Sequence, residues 1–368
     1  MFFIHLYVYK RWSERLPLSY TNLNKNAKSR QVERNGRHLS RILTYTAGQA
    51  DAGRAVRDVI RHDFRMVAHD IAAAKYRTEH GITVNGEDAL VNRVLEAGDV
   101  VRVKLVDGEP GKIVPVPGEL AILYEDEDVI ALNKPAGLVV HPSHGHFSDT
   151  LSNFLADYYI KRGEPHEVRS VGRLDKDTSG VILFGKSRTA CAHLTEQAES
   201  GIREKVYLAL ALGIFREEDR QTVLMPGARE AYHRAARDAE GEVRGEICAP
   251  ISREYVEKIK RVVRCDGDFA LTRYRVLRQF DTFALVRVTI ATGRTHQIRV
   301  HMGWIGHPLL GDPIYGRQAE QNDLGRAALH AYQAVFCQPF SGERIELTAP
   351  LPEDMRKVLE KAYTCCRR

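Results

Sequence analysis

The chain has 368 residues, of which 43% are hydrophobic and 28% are charged, as in a soluble globular protein with room for two domains. Its formal net charge of +6 resides in residues 1–40, which hold eight Lys and Arg against two acidic residues; residues 41–118 hold eleven of each, and residues 119–368 thirty-five of each. This distribution excludes a bulk excess of positive charge as the basis of RNA binding, so any such affinity must come from local arrangements of charge.

Signals for export, membrane insertion and metal binding are missing from the sequence. The apolar start at residues 1–9 has no preceding basic region and no small-residue cleavage site, and no stretch reaches the length of a membrane span. The six cysteines are scattered, without a C-x-x-C pair or a Cys/His spacing typical of zinc sites. We therefore expect a cytoplasmic protein without a bound metal.

The first 106 residues are predicted to form a basic arm and a small domain. Residues 10–40 are polar and basic without an apolar period, which indicates a mobile arm over residues 1–40, either an RNA-gripping tail or a dispensable extension. Residues 41–106 are predicted to form a compact unit. Its elements are helices over about 52–64 and 68–79, an Asn-Gly hairpin turn at 85–86 and an alternating strand over 98–103.

The first predicted helix carries an arginine stripe with steps of three, four and four residues: Arg54, Arg57, Arg61 and Arg65. At 100° per residue these side chains share one helix face, while Val56, Val59 and Ile60 share the other. Most charge runs of this kind are solvated helix faces. Because no acidic residue interrupts the stripe, it favours a surface that contacts RNA phosphates.

Residues 107–118 are rich in Pro and Gly and are predicted to link this unit to a larger body at residues 119–362, with a tail at 363–368. The clearest strands of the body are predicted at 129–132, 180–184, 206–210 and 284–290, and the clearest helices at 151–159, 190–200 and 353–362. They follow no regular βαβ rhythm, so the predicted fold class is α+β, a mixed, largely antiparallel sheet flanked by helices. The polar segment at 226–264 is predicted to be a surface insertion.

One motif of the body, GRLDKDTSG at residues 172–180, carries a candidate catalytic carboxylate. It places Asp175 in a loop directly before an apolar strand, where a side chain is held by a rigid scaffold and open to a cleft. Arg173 and Lys176 are expected to lower the pKa of Asp175 and keep it ionised. The local sequence alone also fits a loop in which Asp, Thr and Ser side chains cap turns.

A second motif, TGRTHQIRVH at residues 292–301, follows the strongest predicted strand. An arginine here can bind a carboxylate through two hydrogen bonds, and basic neighbours can bind phosphates; alternatively, Arg299 and His301 only form structural hydrogen bonds. No further ligand follows His296 and His301 at metal-site spacing. Signatures for dinucleotides, for P-loop phosphates and for hydrolase nucleophiles are missing, so no cofactor is expected.

With four further motifs, these two resemble the RluA-type pseudouridine synthases over most of residues 119–352. The further motifs are KPAGLVVHP at 134–142, KVYLAL at 205–210, GHPLLGDPIYG at 306–316 and LHA at 329–331, and the resemblance ends at APLP, residues 349–352. Residues 41–106 resemble the αL-type RNA-binding motif of a small-subunit ribosomal protein and of tyrosyl-tRNA synthetases. That likeness rests on two short helices, GITVNG at 81–86 and GDVVRV at 98–103, although the usual opening Arg-Leu-Asp is absent.

The resemblance implies a pseudouridine synthase fold and the isomerisation of uridine in RNA without a cofactor. It implies that Asp175 is the catalytic carboxylate and that Arg294 pairs with it. Tyr207 would stack on the uracil and help to remove a proton; because a phenol with a pKa of about 10 is a weak base at neutral pH, we expect packing to be its main role. Arg173 would help to evert the target base, and Lys205, in the Lys-x-Tyr motif, would assist RNA binding.

The sequence departs from the family pattern at Gly172, where the family has His before Arg-Leu-Asp. We expect activity to survive this change, but it leaves the choice of target open. Large-subunit ribosomal RNA is the first candidate substrate and tRNA the second, for a monomer without a membrane partner. Two other functions remain open: a non-catalytic RNA-binding or ribosome-assembly protein on this fold, and a nucleoside or glycoside hydrolase using Asp175 and Asp177.

Overall fold

A computed structural model describes residues 32–35, 38–106, 112–164, 166–225, 229–255, 259–316 and 324–365. They form a small N-terminal module and a large body, each with its own main sheet. Residues 1–31 of the predicted basic arm and residues 366–368 of the predicted tail lie outside the described residues. Among the helices of the described ranges, none is long and apolar enough to cross a membrane.

The strands, in chain order, are β1 (Val32–Asn35), β2 (His38–Thr46), β3 (Ile82–Val84), β4 (Glu87–Asp88), β5 (Val100–Val106), β6 (Ile122–Glu125), β7 (Val129–Lys134), β8 (Arg169–Ser170), β9 (Ser179–Gly185), β10 (Glu204–Leu212), β11 (Arg220–Met225), β12 (Arg229–Arg237), β13 (Val243–Cys248), β14 (Ile251–Arg253), β15 (Arg261–Val263), β16 (Leu271–Gln279), β17 (Phe283–Ile290), β18 (Leu329–Cys337) and β19 (Arg344–Thr348). The α-helices are α1 (Val56–Asp58), α2 (Ala68–Tyr76), α3 (Leu151–Lys161), α4 (Arg188–Glu199), α5 (Gln297–Trp304) and α6 (Glu353–Cys365). A π-helical segment, Val59–Asp63, continues α1.

The module is a five-stranded sheet, ordered β1-β2-β5-β3-β4, whose core is shared with α1, the π-helical segment and α2. The predicted hairpin between β3 and β4 is confirmed: Asn85 and Gly86 have φ of 57° and 89°, as a two-residue hairpin turn of the primed type requires. The prediction of a mobile arm up to residue 40 is wrong at its end. β1 pairs with β2, and β2 pairs with β5 from Ser40 onward, so backbone hydrogen bonds fix this part of the arm in the sheet.

The body is built on a twelve-stranded sheet with the order β11-β12-β13-β16-β17-β10-β18-β9-β7-β6, to which β19 adds beside β18 and β8 beside β9. Each pair in this sheet is antiparallel except β9 with β18. On one face, α3 packs against β7 and β9, and the same core contains Tyr207 and Leu174. On the other face, α4 and α6 cover separate parts of the sheet. The predicted α+β class is therefore confirmed.

The segment at 226–264, predicted to be a surface insertion, supplies two strands near one edge of this sheet, and β14 and β15 form a separate two-stranded sheet. β12 and β13 lie between β11 and β16, and Ala231, Ala235 and Ile247 on them are buried in the core. Side chains on the outward face form ion pairs between strands, such as Glu246 of β13 with Arg273 of β16 at 2.7 Å. The charged residues that suggested a surface insertion thus include the solvent face of strands that alternate inward and outward.

The module packs on the body at the start of α4. Asp70 of α2 is buried, and its Oδ2 accepts hydrogen bonds from the backbone N–H (3.0 Å) and the hydroxyl (2.8 Å) of Thr189 in the first turn of α4. One turn later, the buried ring of His193 lies 3.0 Å from the carbonyl oxygen of Arg65 in the module and 2.7 Å from that of Pro339 in the body. A carboxylate at a helix N-terminus is favourable, because it accepts from free N–H groups and complements the helix dipole.

The described part of the predicted linker is also held against the body. The side-chain amide of Asn153 donates to the carbonyl oxygen of Val114 at 2.7 Å, and the N–H of Val116 donates to the carbonyl oxygen of Asn153 at 3.1 Å. Gly118 lies directly on the ring of Phe154, where a Cβ atom would come within 2.3 Å of the ring. Residues 107–111 lie outside the described ranges.

Candidate active site

A small pocket of about 60 Å³ lies where the sequence motifs meet. Its lining residues come from the loop before β9, from the middle of β10, from the end of β17, and from the start of α5; they include Arg173, Asp175, Tyr207, Arg294 and His296. A larger cavity of about 1210 Å³ lies beside α6, but Arg326 and Asp354 in its wall already bind each other, and neither Asp175 nor Tyr207 lines it. We therefore place the active site in the smaller pocket.

Asp175 belongs to a loop, residues 173–178, which we call the catalytic loop because it carries the candidate catalytic carboxylate. Contacts with the core of the body hold this loop in place. Leu174 is buried in the core, and the N–H of Thr178 donates to the carbonyl oxygen of Asp175 at 3.1 Å, which closes a tight turn. Gly180, just after the loop, has φ of +112°, and a Cβ there would lie 2.2 Å from the carbonyl oxygen of Ala331. Only glycine permits β9 to approach β18 so closely, so this position fixes where the catalytic loop leaves the sheet.

Two buried cations hold the carbonyl groups of the catalytic loop. The Nζ of Lys134, a fully buried side chain, donates to the carbonyl oxygens of Pro135 (2.8 Å), Leu138 (2.7 Å) and Lys176 (2.8 Å). The guanidinium of Arg326 donates to the carbonyl oxygen of Asp177 at 3.1 Å. Burial lowers the pKa of Lys134 to about 7, while the charges of Asp177 and Asp175 oppose this effect. Three acceptors are satisfied together only by an ammonium group, so the loop geometry favours the charged lysine.

Tyr207 lines the same pocket from the middle of β10. It lies on β10 between Val288 and Ala331 of the neighbouring strands, and it is 5% exposed. Burial, followed by the negative charge of Asp175, raises the pKa of Tyr207 well above its usual value. Tyr207 is therefore a neutral phenol at physiological pH, suited to packing and hydrogen-bond donation rather than to removing protons.

Arg294 reaches the same pocket but does not pair with Asp175 as predicted. Its Nε donates to the carbonyl oxygen of Phe269 at 3.1 Å, and its nearest carboxylate is that of Asp268 at 3.6 Å. Within the described residues, no ion pair joins Arg294 to Asp175. The Arg294 side chain is 42% exposed and that of Asp268 73% exposed, so water weakens this ion pair. The predicted placement of Arg294 in the pocket thus agrees with the structure, but its predicted partner does not.

Two further residues of the second motif, Arg299 and His301, are buried and form structural hydrogen bonds. Arg299 binds Asp312 through two hydrogen bonds of 2.7 Å each, as the structural alternative for this residue predicts. His301 is fully buried, within 2.8 Å of the Thr272 hydroxyl and 2.9 Å of the carbonyl oxygen of Ala249. Asp312 lies in the GHPLLGDPIYG motif, so the two motifs are joined by this ion pair.

Comparison with known proteins matches residues 128–304 to the family described as RNA pseudouridylate synthase. A Bacillus subtilis protein named uncharacterized RNA pseudouridine synthase YhcT is 37% identical over 285 residues, which cover 77% of this chain and 85% of the relative. This chain belongs to the RNA pseudouridylate synthase family. The predicted fold and the predicted isomerase activity on RNA are thereby confirmed.

Further relatives of this pseudouridine synthase carry more specific names. The ribosomal large subunit pseudouridine synthase D of Xanthomonas campestris pv. campestris is 34% identical over 288 residues, which cover 75% of this chain and 79% of the relative. The solved structure of human RNA pseudouridylate synthase domain containing 4 is 23% identical, covers 66% of this chain and 93% of that chain, and has a TM-score of 0.49.

The remaining residues predicted for RNA contact near the pseudouridine synthase pocket are Arg173 and Lys205. Arg173 is exposed beside Asp175, where it is free to reach a nucleotide. Gly172 has φ of +82°, a conformation that costs any other residue about 1 kcal/mol, and a Cβ there would lie 3.8 Å from Nζ of Lys205. Loss of hydration, followed by the charge of Arg203, lowers the pKa of Lys205 to about 7.

The arginine stripe is less regular than the sequence predicts. The predicted helix over 52–64 is a single α-turn, α1, followed by the π-helical segment, so steps of 100° do not apply along it. The two terminal nitrogens of Arg54 each lie 2.5 Å from a carboxylate oxygen, one of Asp51 and one of Asp63. Arg65, which has φ of 48°, forms an ion pair with Glu196 of the body. These two arginines therefore act in structure, whereas Arg57 and Arg61 are exposed and available to RNA.

His296 also lines the pocket, although the sequence motifs assigned it no role there. From the sequence we considered it only as a metal ligand, a role that the spacing of the motif did not support. Its ring is 9% exposed, and it lines the pocket together with Asp175. Its place in the TGRTHQIRVH motif, two residues after Arg294, was the available signal. The hydrogen bond that orients its ring comes from Tyr315 in another motif, which the sequence alone does not connect to it.

Proposed function

We propose that this enzyme converts a uridine of large-subunit ribosomal RNA to pseudouridine, with Asp175 as the carboxylate that opens the glycosidic bond. The observation that carries the proposal is the meeting of Asp175 and Tyr207 in one pocket, from positions 32 residues apart in the chain (207 − 175). The choice of RNA rests on relatives named ribosomal large subunit pseudouridine synthase D, which are 33–36% identical.

The pocket supports an isomerisation in which nothing is imported. The carboxylate of Asp175 assists departure of uracil from the anomeric carbon, either by adding to that carbon or by promoting elimination, and the electron pair of the broken bond leaves with the uracil. The ring then turns and its carbon atom C5 bonds to the anomeric carbon. This step either displaces the added Asp175 carboxylate or, after elimination, is accompanied by return of the proton to the sugar. C5 then loses its proton and N1 gains one, so the product is an isomer of uridine. Tyr207 confines the ring during this turn, because its buried phenol lines the pocket that contains Asp175.

The target base has to leave its stack in the RNA before Asp175 can reach the sugar. A pocket of about 60 Å³ does not admit a folded RNA strand, so the uridine must be extruded. The exposed Arg173 beside Asp175 is suited to fill the gap that the base leaves. Arg57 and Arg61 on the module would contact phosphates further along the same RNA. We further propose that the enzyme acts as a cytoplasmic monomer.

The proposal is tested by mapping pseudouridines in RNA from cells with and without the gene. We expect one or a few positions in large-subunit ribosomal RNA to revert to uridine when the gene is deleted and to be restored by the wild-type chain. If an Asp175→Asn variant also restored these pseudouridines, Asp175 would not be the catalytic carboxylate. A loss confined to tRNA would instead move the substrate to that class, the second candidate from the sequence.

A further inference from the structure

His296 combines a strained backbone with a buried ring at the edge of the pocket. It occupies the position just before α5 with φ of 57° and ψ of 18°, in the left-handed region, which is uncommon for residues other than Gly although Asn, Asp and His adopt it more often than most. Such a conformation costs on the order of 1–3 kcal/mol and persists only where surrounding contacts enforce it. The surrounding fold therefore sets the backbone here, and the His296 side chain makes no hydrogen bond that caps α5.

Tyr315 holds the Nδ1 side of the His296 ring. The backbone N–H of Arg261 donates to the hydroxyl oxygen of Tyr315 at 2.9 Å, and this oxygen lies 3.0 Å from Nδ1 of His296. The hydroxyl can then donate its own proton to Nδ1, an arrangement that uses both the donor and an acceptor of the phenol. In a neutral ring with this arrangement the proton resides on Nε2, and this is the tautomer that the proposal below uses.

The Tyr315 ring is itself fixed by the buried ion pair of Arg299 and Asp312. Oδ1 of Asp312 accepts from the backbone N–H groups of Ile314 (2.9 Å) and Tyr315 (3.1 Å), and it also binds Arg299. The guanidinium of Arg299 lies 5.1 Å from the centre of the Tyr315 ring. The orientation of His296 is thus set, through Tyr315, by the buried ion pair of Arg299 and Asp312.

His296 is neutral at physiological pH. Burial lowers its pKa; the negative charges of Asp175 and Asp312 oppose this shift, and the positive charges of Arg299 and Arg261 reinforce it. The Tyr315 hydroxyl contacts the ring, and Arg173 and Arg294 line the same pocket. Nε2 makes no hydrogen bond to any part of the chain that the structure describes, and it is not among the buried polar atoms that lack a partner. Nε2 is therefore accessible in the pocket, where a bound substrate can contact it.

We propose that the Nε2–H of His296 donates a hydrogen bond to a carbonyl oxygen of the target uracil. When the bond between N1 and the sugar breaks, the electron pair passes to the uracil and its negative charge spreads onto O2 and O4. A fixed N–H donor beside these atoms stabilises that charge as it develops. No proton is transferred in this step. His296 keeps its proton, and C5 of the uracil remains able to form the new bond to the sugar.

Atom replacement in the substrate tests the contact directly. RNA fragments containing the mapped target would carry uridine, 2-thiouridine or 4-thiouridine at that position, and conversion would be followed in single-turnover reactions. Sulfur accepts hydrogen bonds more weakly than oxygen. We expect one of the two thio-substrates to slow the wild-type enzyme by about tenfold, and His296→Ala to lose this sensitivity, as a residue that contacts that atom requires.

The variants separate a contact with uracil from support of the fold. On ordinary RNA, His296→Ala should lower the single-turnover rate by about 10²-fold with RNA affinity within about twofold, the size seen for one transition-state donor. His296→Gln, which retains an N–H donor, should recover part of the rate. Tyr315→Phe should lower the rate less, and the double variant should match His296→Ala alone, because Tyr315 acts through His296.

Equal sensitivity of the wild type and of His296→Ala to each thio-substrate would overturn the proposal, as would a wild type that neither substitution slows. If His296→Ala does not fold, the same comparison is made with His296→Leu, which fills more of the space of the ring without an N–H donor and must then show reduced sensitivity to the same thio-substrate. The proposal relies on the pseudouridine synthase activity and not on which RNA is modified; conversion of ordinary RNA by the wild type verifies that activity separately.

Discussion

The ammonium group of Lys134 donates a hydrogen bond of 2.8 Å to the carbonyl oxygen of Lys176, the residue directly after Asp175. Lys134 lies at the end of β7 and is fully buried, so its position is set by the sheet. Through this bond, a rigid strand determines where the catalytic loop lies. The motif that contains Lys134 is far from the Asp175 motif in sequence but supports it directly in space.

Substituting Lys134 should therefore affect both stability and catalysis. Lys134→Met keeps the length of the side chain but leaves the carbonyl oxygens of Pro135, Leu138 and Lys176 without this donor, at a cost of about 1–3 kcal/mol. We expect a lower midpoint of urea unfolding and, below that midpoint, a reduced turnover with nearly unchanged RNA affinity. Lys161→Met is the control, because that side chain is 64% exposed. A Lys134→Met enzyme with wild-type stability and turnover would show that the loop does not depend on this contact.

Strands whose side chains are apolar on both faces were predictable from the sequence, and those with a charged face were not. β9 is buried throughout, and its apolar run identified it. β12 has the sequence REAYHRAAR, in which the buried residues are Ala231, His233 and Ala235, and the residues between them include the charged Glu230 and Arg234. Alanine carries too little hydrophobic signal to distinguish such a strand from a loop, so its place became evident only from its pairing with β13.

The active site shows a similar division between what sequence motifs indicate and what tertiary contacts decide. The motifs brought Asp175, Tyr207 and Arg294 to one pocket correctly. They did not predict that Arg294 lies against Asp268, because a long side chain on a pocket rim takes its partner from whichever loop is adjacent in the fold. The orientation of His296 likewise depends on Tyr315, which is 19 residues away in the chain.

The stability of the body should fall as the pH decreases from about 6.5 to about 4. Burial lowers the pKa of His301 and of His330 to about 4, from an ordinary value of 6.5. In this interval the unfolded chain binds protons that the folded chain does not, so protonation favours unfolding, by on the order of 3 kcal/mol for each histidine at the acidic end.

Urea unfolding at pH 7, 6, 5 and 4.5 checks this prediction. His301→Gln, which can still donate to Ala249 and accept from Thr272, should flatten the dependence on pH between 6.5 and 4.5. An unchanged slope in the variant would mean that His301 is not the buried neutral group described above.

Removal of the Asp70 carboxylate should loosen the module from the body. Asp70→Ala leaves the N–H and hydroxyl of Thr189 without their acceptor, which costs about 1–3 kcal/mol. We expect faster hydrogen exchange at the N-terminus of α4 and a separate, earlier melting transition of the module. Asp88→Ala is the control, since its side chain is 65% exposed. Identical exchange at Thr189 in the wild type and in Asp70→Ala would contradict the described contact.

The arginines of the module should divide into structural and RNA-binding residues. Replacing Arg57 and Arg61 together with Gln should weaken RNA binding and reduce the slope of log affinity against log salt by about two, one for each lost phosphate contact. Arg54→Gln should instead lower stability, because it leaves Asp51 and Asp63 without their shared cation. Point substitutions are preferable to deletion of the module, which would also uncover Thr189 and His193 of the body. If Arg54→Gln changed the salt slope and the double variant of Arg57 and Arg61 did not, the structural and RNA-binding roles would have to be exchanged.

The most direct test of the catalytic assignment is single-turnover conversion of the mapped target RNA by Asp175→Asn, with RNA affinity measured on the same preparation. Asparagine keeps the shape of the side chain but lacks the negative charge that acts at the sugar. We predict a rate more than about 10³-fold below that of the wild type, with affinity within about threefold. A rate within tenfold of the wild type, at equal affinity, would contradict the role of residue 175 as the essential carboxylate.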